Sequence, residues 1–187
     1  NGIGFALAKH ALQQGMQVIL SDINQRALEQ AAQSLVEYEN NLNYFIADVS
    51  QPKQVAELAE FAYAEYHAVD LLINNAGILG PIKPIWQLGL ADIEKVIKVN
   101  LYGVINGIQQ FVPKLLKQSR SSHIVNVASM FGFFNCSFHS AYQMSKHAVI
   151  SLSESLYYEL TQQTDQIKLS VLCPGYVKTN IIDTNNP

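Results

Sequence analysis

Residues 71–77 read Leu71-Leu72-Ile73-Asn74-Asn75-Ala76-Gly77, an apolar run that stops at two amides and two small residues. Three consecutive apolar side chains bounded by turn formers describe a short strand buried on both faces. The same pattern recurs at residues 17–21 (QVILS), 45–47, 124–128 (IVNVA) and 169–173. Between these runs the apolar residues fall at helical spacing. Asn24 reads as the N-cap of a helix with Leu28, Ala31, Ala32 and Leu35 on one face. Ser50 reads as the cap of a second, with Val55, Leu58, Phe61 and Ala62 turned inward. A long helix is expected over residues 91–117 and another over residues 140–161. Apolar strands alternating with helices predict an α/β fold: a doubly wound parallel sheet in a three-layer α/β/α arrangement. Right-handed crossovers then line up the strand C-terminal ends along one edge, where ligands bind.

The chain has 187 residues, enough for one domain with a substantial core, so a single domain over 1–187 is expected. Asn1-Gly2-Ile3-Gly4 leads directly into a helical stretch, residues 5–14, that ends at Gly15. A doubly wound sheet calls for a strand ahead of that helix and more chain after Pro187. The expectation is therefore a fold fragmentary at both ends, without its first strand and its C-terminal part, and poorly stable by itself.

Apolar residues make up 49% and charged residues 14%, a globular balance that argues against a disordered or fibrous chain. The net charge of −3 gives no basic footprint for nucleic acid or for an anionic membrane surface. No run of about eighteen uninterrupted apolar residues offers a membrane-spanning helix. Cys136 and Cys173 have no metal-type spacing to each other or to the histidines, so no metal site is expected and a reducing cytoplasm fits. Cys173, inside an apolar run, reads as a buried core thiol.

Glycines at a helix start let a ligand approach the backbone, and the free N–H groups there favour a pyrophosphate. Gly2, Ile3 and Gly4 are placed for that contact. Asp22 follows the strand at 17–21 and lies eighteen positions after Gly4, close to the ~20-residue offset of a ribose-binding acid. A carboxylate there accepts from the ribose hydroxyls and repels a 2′-phosphate. Ser21 and Ile23 are not basic, which favours NAD over NADP, although Arg26 lies a turn away. Asp48 and Val49 follow the next strand, where they suit either an adenine contact or ordinary loop structure. Asn75, Ala76 and Gly77 let a cofactor come against the backbone while the amides bridge strand ends.

Tyr142 and Lys146 are four apart on a helix and share a face. An ordinary tyrosine, at about pKa 10, is a poor base at neutral pH, and a nearby ammonium is expected to lower it. Ser129 ends the strand at 124–128 and precedes Tyr142 by thirteen residues, where its hydroxyl can hold a substrate oxygen. Asn100, inside the long helical region, reads either as a solvated helix amide or as a bend that holds a proton-relaying water. Pro174 and Gly175 follow the last strand, with Thr179 beyond, and suit a wrap around a carboxamide. Phe131, Phe133, Phe134 and Phe138 lie between Ser129 and Tyr142. They suit the wall of an apolar substrate pocket, or equally a core or subunit interface.

These motifs in this order (GIG at a helix start, NNAG after a strand, a helical Asn, Ser thirteen before Tyr, YxxxK over Tyr142-Gln143-Met144-Ser145-Lys146, and PGxxxT over residues 174–179) together resemble the short-chain dehydrogenase/reductase family. The likeness runs from Gly2 to Thr179. It implies a Rossmann-type sheet and a catalytic tetrad of Asn100, Ser129, Tyr142 and Lys146. It further implies NAD(P) held in part by Tyr142, Lys146, Val177 and Thr179, and a homo-oligomer, a dimer or tetramer. The TGxxx part of the glycine motif would lie ahead of Asn1. The implied activity is hydride transfer between nicotinamide and a small-molecule alcohol/ketone pair, with an apolar substrate. The alternatives are a non-catalytic NAD-binding regulator on the same fold, and an epimerase or dehydratase that uses bound NAD transiently.

Overall fold

In the computed structural model, which describes residues 2–177, 179 and 181, the apolar runs are strands and the amphipathic stretches are helices. Helix α1 (Gly2–Gln13) closes at Gly15, whose φ of +78° is the left-handed cap that a glycine takes without steric cost. It begins three residues earlier than the sequence suggests, so the two glycines lie in its first turn. Strand β1 (Val18–Asp22) leads to helix α2 (Gln25–Ser34). Asn24 caps α2 by accepting from the Ala27 N–H at 3.0 Å, and Leu28 and Leu35 are buried beneath it.

Strand β2 (Leu42–Ile46) starts earlier than expected, and Ser50 does not cap the next helix, α3 (Pro52–Tyr66). Gln51 is the cap position there, without a side-chain bond, and Pro52 opens the helix with its fixed φ. The Ser50 N–H instead donates to Asp48 Oδ1 at 2.9 Å, an Asx turn that competes with capping. Strand β3 (Leu71–Asn74) follows.

The helix expected over residues 91–117 is interrupted. Helix α4 (Leu90–Ile97) passes through a π-helical turn, Lys98–Tyr102, into helix α5 (Gly103–Leu115). One extra residue per turn at such a point widens the helix, and these turns recur at functional sites. Strand β4 (Ser122–Val127), helix α6 (Ser140–Thr161) and strand β5 (Ile167–Leu172) complete the described elements.

All pairings are parallel, but among the described residues the sheet stands as two sections: β1 with β2, and β3-β4-β5. The single doubly wound sheet read from the sequence is thus present as two parallel pieces, with no described strand hydrogen-bonding β1 to β3. The main core joins Val55, Ala59 and Ala62 of α3 to Phe111 and Leu115 of α5, Ile124 of β4, and Leu156 and Leu160 of α6. A second cluster, Val104, Ala128, Val149 and Ile150, lies beside it between α5, the end of β4 and α6. Because both cores hold the middle of α6 against β4, its first two turns are set rigidly at the C-terminal ends of the strands. No described helix is long and apolar enough to cross a membrane.

Candidate active site

Ser129 stands two residues past β4 in extended backbone and starts a 3₁₀ turn, Met130–Gly132. Its hydroxyl accepts from the Phe131 N–H at 3.2 Å, and the Met130 N–H donates to the Pro174 carbonyl at 3.0 Å. The residues after β4 and after β5 are therefore tied together. Tyr142, in the first turn of α6, is buried, and the Ser129 side chain is close enough to its phenol to pull its pKa down. Lys146, one turn later, is 3% exposed. Its Nζ donates to the Val127 carbonyl at 2.9 Å and stands 5.7 Å from the Tyr142 ring centroid.

The electrostatics differ from the sequence expectation. Burial raises the Tyr142 phenol above 10.0, opposed by the Ser129 side chain. The drop expected from a neighbouring ammonium does not dominate, because desolvation also penalises the lysine's charge. Burial brings Lys146 down from 10.5 to about 8, opposed by the Cys173 thiol. Cys173 itself is not the core thiol that its apolar neighbours suggest. It is half-buried and raised by burial, with the Ser129 backbone and Lys146 pulling it down.

Asn100 occupies the π-helical turn and is fully buried. Its Oδ1 accepts from the Ile78 N–H at 2.8 Å, and its Nδ2 donates to the Ile78 carbonyl and to Ser145 Oγ, each at 2.9 Å. The solvated-amide reading is excluded, and both amide hydrogens are committed to protein. Asn74 donates to Asn126 Oδ1 at 2.8 Å, and Asn126 donates to Ser153 Oγ at 2.9 Å, so amides do bridge the ends of β3 and β4. A Cβ on Gly77 would lie 3.4 Å from both Asn100 Oδ1 and Lys146 Nζ, which puts Gly77 between these two side chains.

The residues read from the sequence as nucleotide contacts follow the strand ends or open α1. A Cβ on Gly4 would press on Asn75 Nδ2 at 2.7 Å, so the first turn of α1 lies directly against the NNAG segment. Thr179 comes over the start of α1, 3.5 Å from where a Gly2 Cβ would sit. Asp22 is exposed at the end of β1, and its Oδ1 accepts from the Asn24 N–H at 2.9 Å. The Asp48 N–H donates to Gln54 at 2.7 Å, and the Val49 carbonyl accepts from Asn106 at 2.8 Å. Val49 also packs on bare Gly103. Gly175 lies beside Met130, and Val177 is half-exposed; within residues 174–179, Lys178 lies outside the described residues.

Of the four phenylalanines, only Phe131 meets the tyrosine, edge-on at 6.4 Å between ring centroids. It also stacks on His139 and meets Tyr176 edge-on, each at 6.0 Å. Phe133, Phe134 and Phe138 are exposed. The described residues contain no group of three or more His, Cys, Asp or Glu able to hold a metal. Sequence reading missed Ser145, Asn106, Asn126 and Ser153, all buried polar groups. The amide of Asn126 in the middle of an apolar strand was the available signal, since a polar group there needs a partner.

Comparison with known proteins agrees with this architecture. A family model described as short chain dehydrogenase matches residues 1–187. The chain is 36% identical over 180 residues to 1-deoxy-11-beta-hydroxypentalenate dehydrogenase of Streptomyces avermitilis, covering 96% of this chain and 66% of that protein. It superposes with a TM-score of 0.92, at 35% identity, on a short chain dehydrogenase/reductase from Burkholderia phymatum in complex with NAD, covering 97% of this chain and 64% of that one. The protein ElxO with NADP bound superposes with a TM-score of 0.87 at 25% identity, covering 98% of this chain and 72% of that one. The chain thus spans about two thirds of the length of the first two.

Proposed function

The chain belongs to the short-chain dehydrogenase/reductase family, and on that basis we propose that it forms part of an NAD(P)-dependent oxidoreductase acting on an alcohol/ketone pair. The observation that carries the reading is the buried phenol of Tyr142 beside the Ser129 side chain, with the buried Lys146 ammonium 5.7 Å from its ring. In this reading Ser129 Oγ holds the substrate oxygen and Tyr142 Oη gives or takes its proton. Lys146 serves that exchange at the tyrosine and binds the nicotinamide ribose. Asn100 Oδ1 and Lys146 Nζ flank the bare Cα of Gly77, a spacing that suits a bridging solvent molecule in the proton path.

The residues fit a dinucleotide. The first turn of α1 offers the N–H groups of Gly2, Ile3 and Gly4 to a pyrophosphate, with no side chain on either glycine to keep a ligand off. Asp22 spends one oxygen on Asn24 and keeps the other for a ribose, which favours NAD over NADP. Asp48 and Val49 suit the adenine. Asn75, Ala76 and Gly77 suit the ring of the nicotinamide half, and Pro174, Gly175, Val177 and Thr179 its carboxamide. When bound, the nicotinamide supplies or accepts the hydride.

The substrate is read as apolar, because the Phe131 ring meets Tyr142 edge-on and packs in turn against the His139 and Tyr176 rings. We further read the protein as a cytoplasmic homo-oligomer, dimer or tetramer, on its free cysteines and its family. The test is a panel of secondary alcohols and ketones assayed with NAD(H) and NADP(H) on the full-length protein. Turnover with NAD(H) is expected. A chain that binds NADH and turns over nothing in the panel would instead be a non-catalytic binder.

A further inference from the structure

Ser145 lies between Tyr142 and Lys146 in the chain and is fully buried. Its hydroxyl has one hydrogen to give and lone pairs to accept with. It gives that hydrogen to the Tyr142 carbonyl at 2.6 Å and accepts from Asn100 Nδ2 at 2.9 Å. Asn100 is in turn clamped on both amide atoms to the backbone of Ile78, the residue after Gly77. One hydroxyl therefore closes a chain of hydrogen bonds that starts in the loop after β3, crosses the π-helical turn and ends on the backbone of the tyrosine. Bonds in such a chain polarise one another and fix one geometry when every member is satisfied.

We infer that Ser145 is a positioning residue for proton transfer: it sets Asn100 and the first turn of α6 in register, so that Asn100 Oδ1 and Lys146 Nζ stay on either side of Gly77. Two features separate this from generic core packing. First, a hydroxyl bonded to the carbonyl three residues back competes with the regular helix ladder at that carbonyl. That turn carries both Tyr142 and Lys146. Second, Asn100 Nδ2 has no hydrogen to spare, since its two donors go to Ile78 and Ser145. Without the hydroxyl a buried N–H is orphaned, and the amide is held by the Ile78 backbone alone, with no tie to α6.

The inference rests on Tyr142 as the proton-transfer group, so the experiment carries both variants. Ser145→Ala and Tyr142→Phe are made in the full-length protein. Each is assayed with NADH and a bicyclic ketone (1-decalone) over a pH series, in H₂O and D₂O, beside NADH binding by fluorescence. Ser145→Ala is expected to lower kcat tenfold or more, raise the solvent isotope effect and move a limb of the kcat–pH profile by at least half a unit. NADH affinity and the ketone KM stay within twofold. A Ser145→Ala profile superimposable on wild type, beside an inactive Tyr142→Phe, overturns the positioning role alone. Loss of NADH binding together with kcat also overturns it, because the hydroxyl would then be a general structural support. An active Tyr142→Phe overturns the reading of the site on which the inference stands.

Discussion

Lys146 and Val127 are joined by a 2.9 Å hydrogen bond from the ammonium to the backbone carbonyl, which pins the helix of Tyr142 to the strand that delivers Ser129. The lysine proposed to serve proton transfer is thus also a brace between α6 and β4. Its burial costs stability, and its partner recovers only part of that cost.

That cost has a pH signature. Lys146 is at about 8 in the folded chain against 10.5 ordinarily, so between those values the unfolded chain binds more protons. Stability from this group rises with pH across that window, and below it the penalty is present in full, on the order of 3 kcal/mol. Tyr142 acts oppositely: its raised phenol stays protonated when folded, so stability falls as pH climbs beyond 10.0. Lys146→Met should melt above wild type at pH 7 and lose the rise from pH 8 upward. Parallel wild-type and variant curves from scanning calorimetry would refute the assignment.

Two glycines should separate catalysis from stability. Gly77→Ala places a methyl group 3.4 Å from both Asn100 Oδ1 and Lys146 Nζ, an ordinary packing distance. It should fold normally yet lose about tenfold in kcat, roughly 1.4 kcal/mol. Gly107→Ala instead drives its methyl into Asn74, the amide that joins β3 to β4. Overpacking of that kind costs about 1–3 kcal/mol, read as a lower melting temperature. Equal effects of the two variants on melting would count against the distinction.

Asp22 should set the cofactor preference. Removing its carboxylate removes a charge-assisted acceptor, worth about 1.5–3 kcal/mol, and the repulsion toward a 2′-phosphate. Asp22→Ala is expected to raise KM for NADH at least tenfold while NADPH use holds or improves. Unchanged KM for both cofactors would show that Asp22 only caps its own turn through Asn24.

Ser129→Ala tests the hydroxyl beside the phenol. Ser129 pulls the Tyr142 phenol down, so its loss should move that group further up and carry the corresponding limb of the pH–rate profile to higher pH. A kcat lower by about 10²-fold or more should accompany the shift. A profile that stays in place with kcat reduced would mean that Ser129 touches substrate alone.

Much of this was legible in the residues. The bounds of α6 follow from its apolar spacing and agree with the structure, and Asn24 caps α2 as its side-chain chemistry predicts. The residues read as a proton-transfer set lie close together, because Lys146 ties α6 to β4 and Asn100 of the π-helical turn bonds Ser145 of α6. What escaped depends on tertiary packing. A π-helical turn leaves the apolar periodicity nearly intact, so residues 91–117 read as one helix. Pro52 displaced Ser50 as the helix opener because a proline fixes φ, whereas a serine merely prefers its cap. The direction of the Tyr142 shift turned on burial, which spacing along a helix does not reveal. Ser145, Asn106 and Ser153 carry no mark of burial in the sequence, and only the packing of α5 and α6 against their neighbours makes them buried links.

The most direct measurement of the central claim is turnover by Tyr142→Phe in the full-length protein, with NADH binding followed on the same sample. Loss of kcat by about 10³-fold or more with NADH affinity unchanged is the predicted result. Turnover within tenfold of wild type would contradict it, because Tyr142 is the phenol on which Ser129 acts.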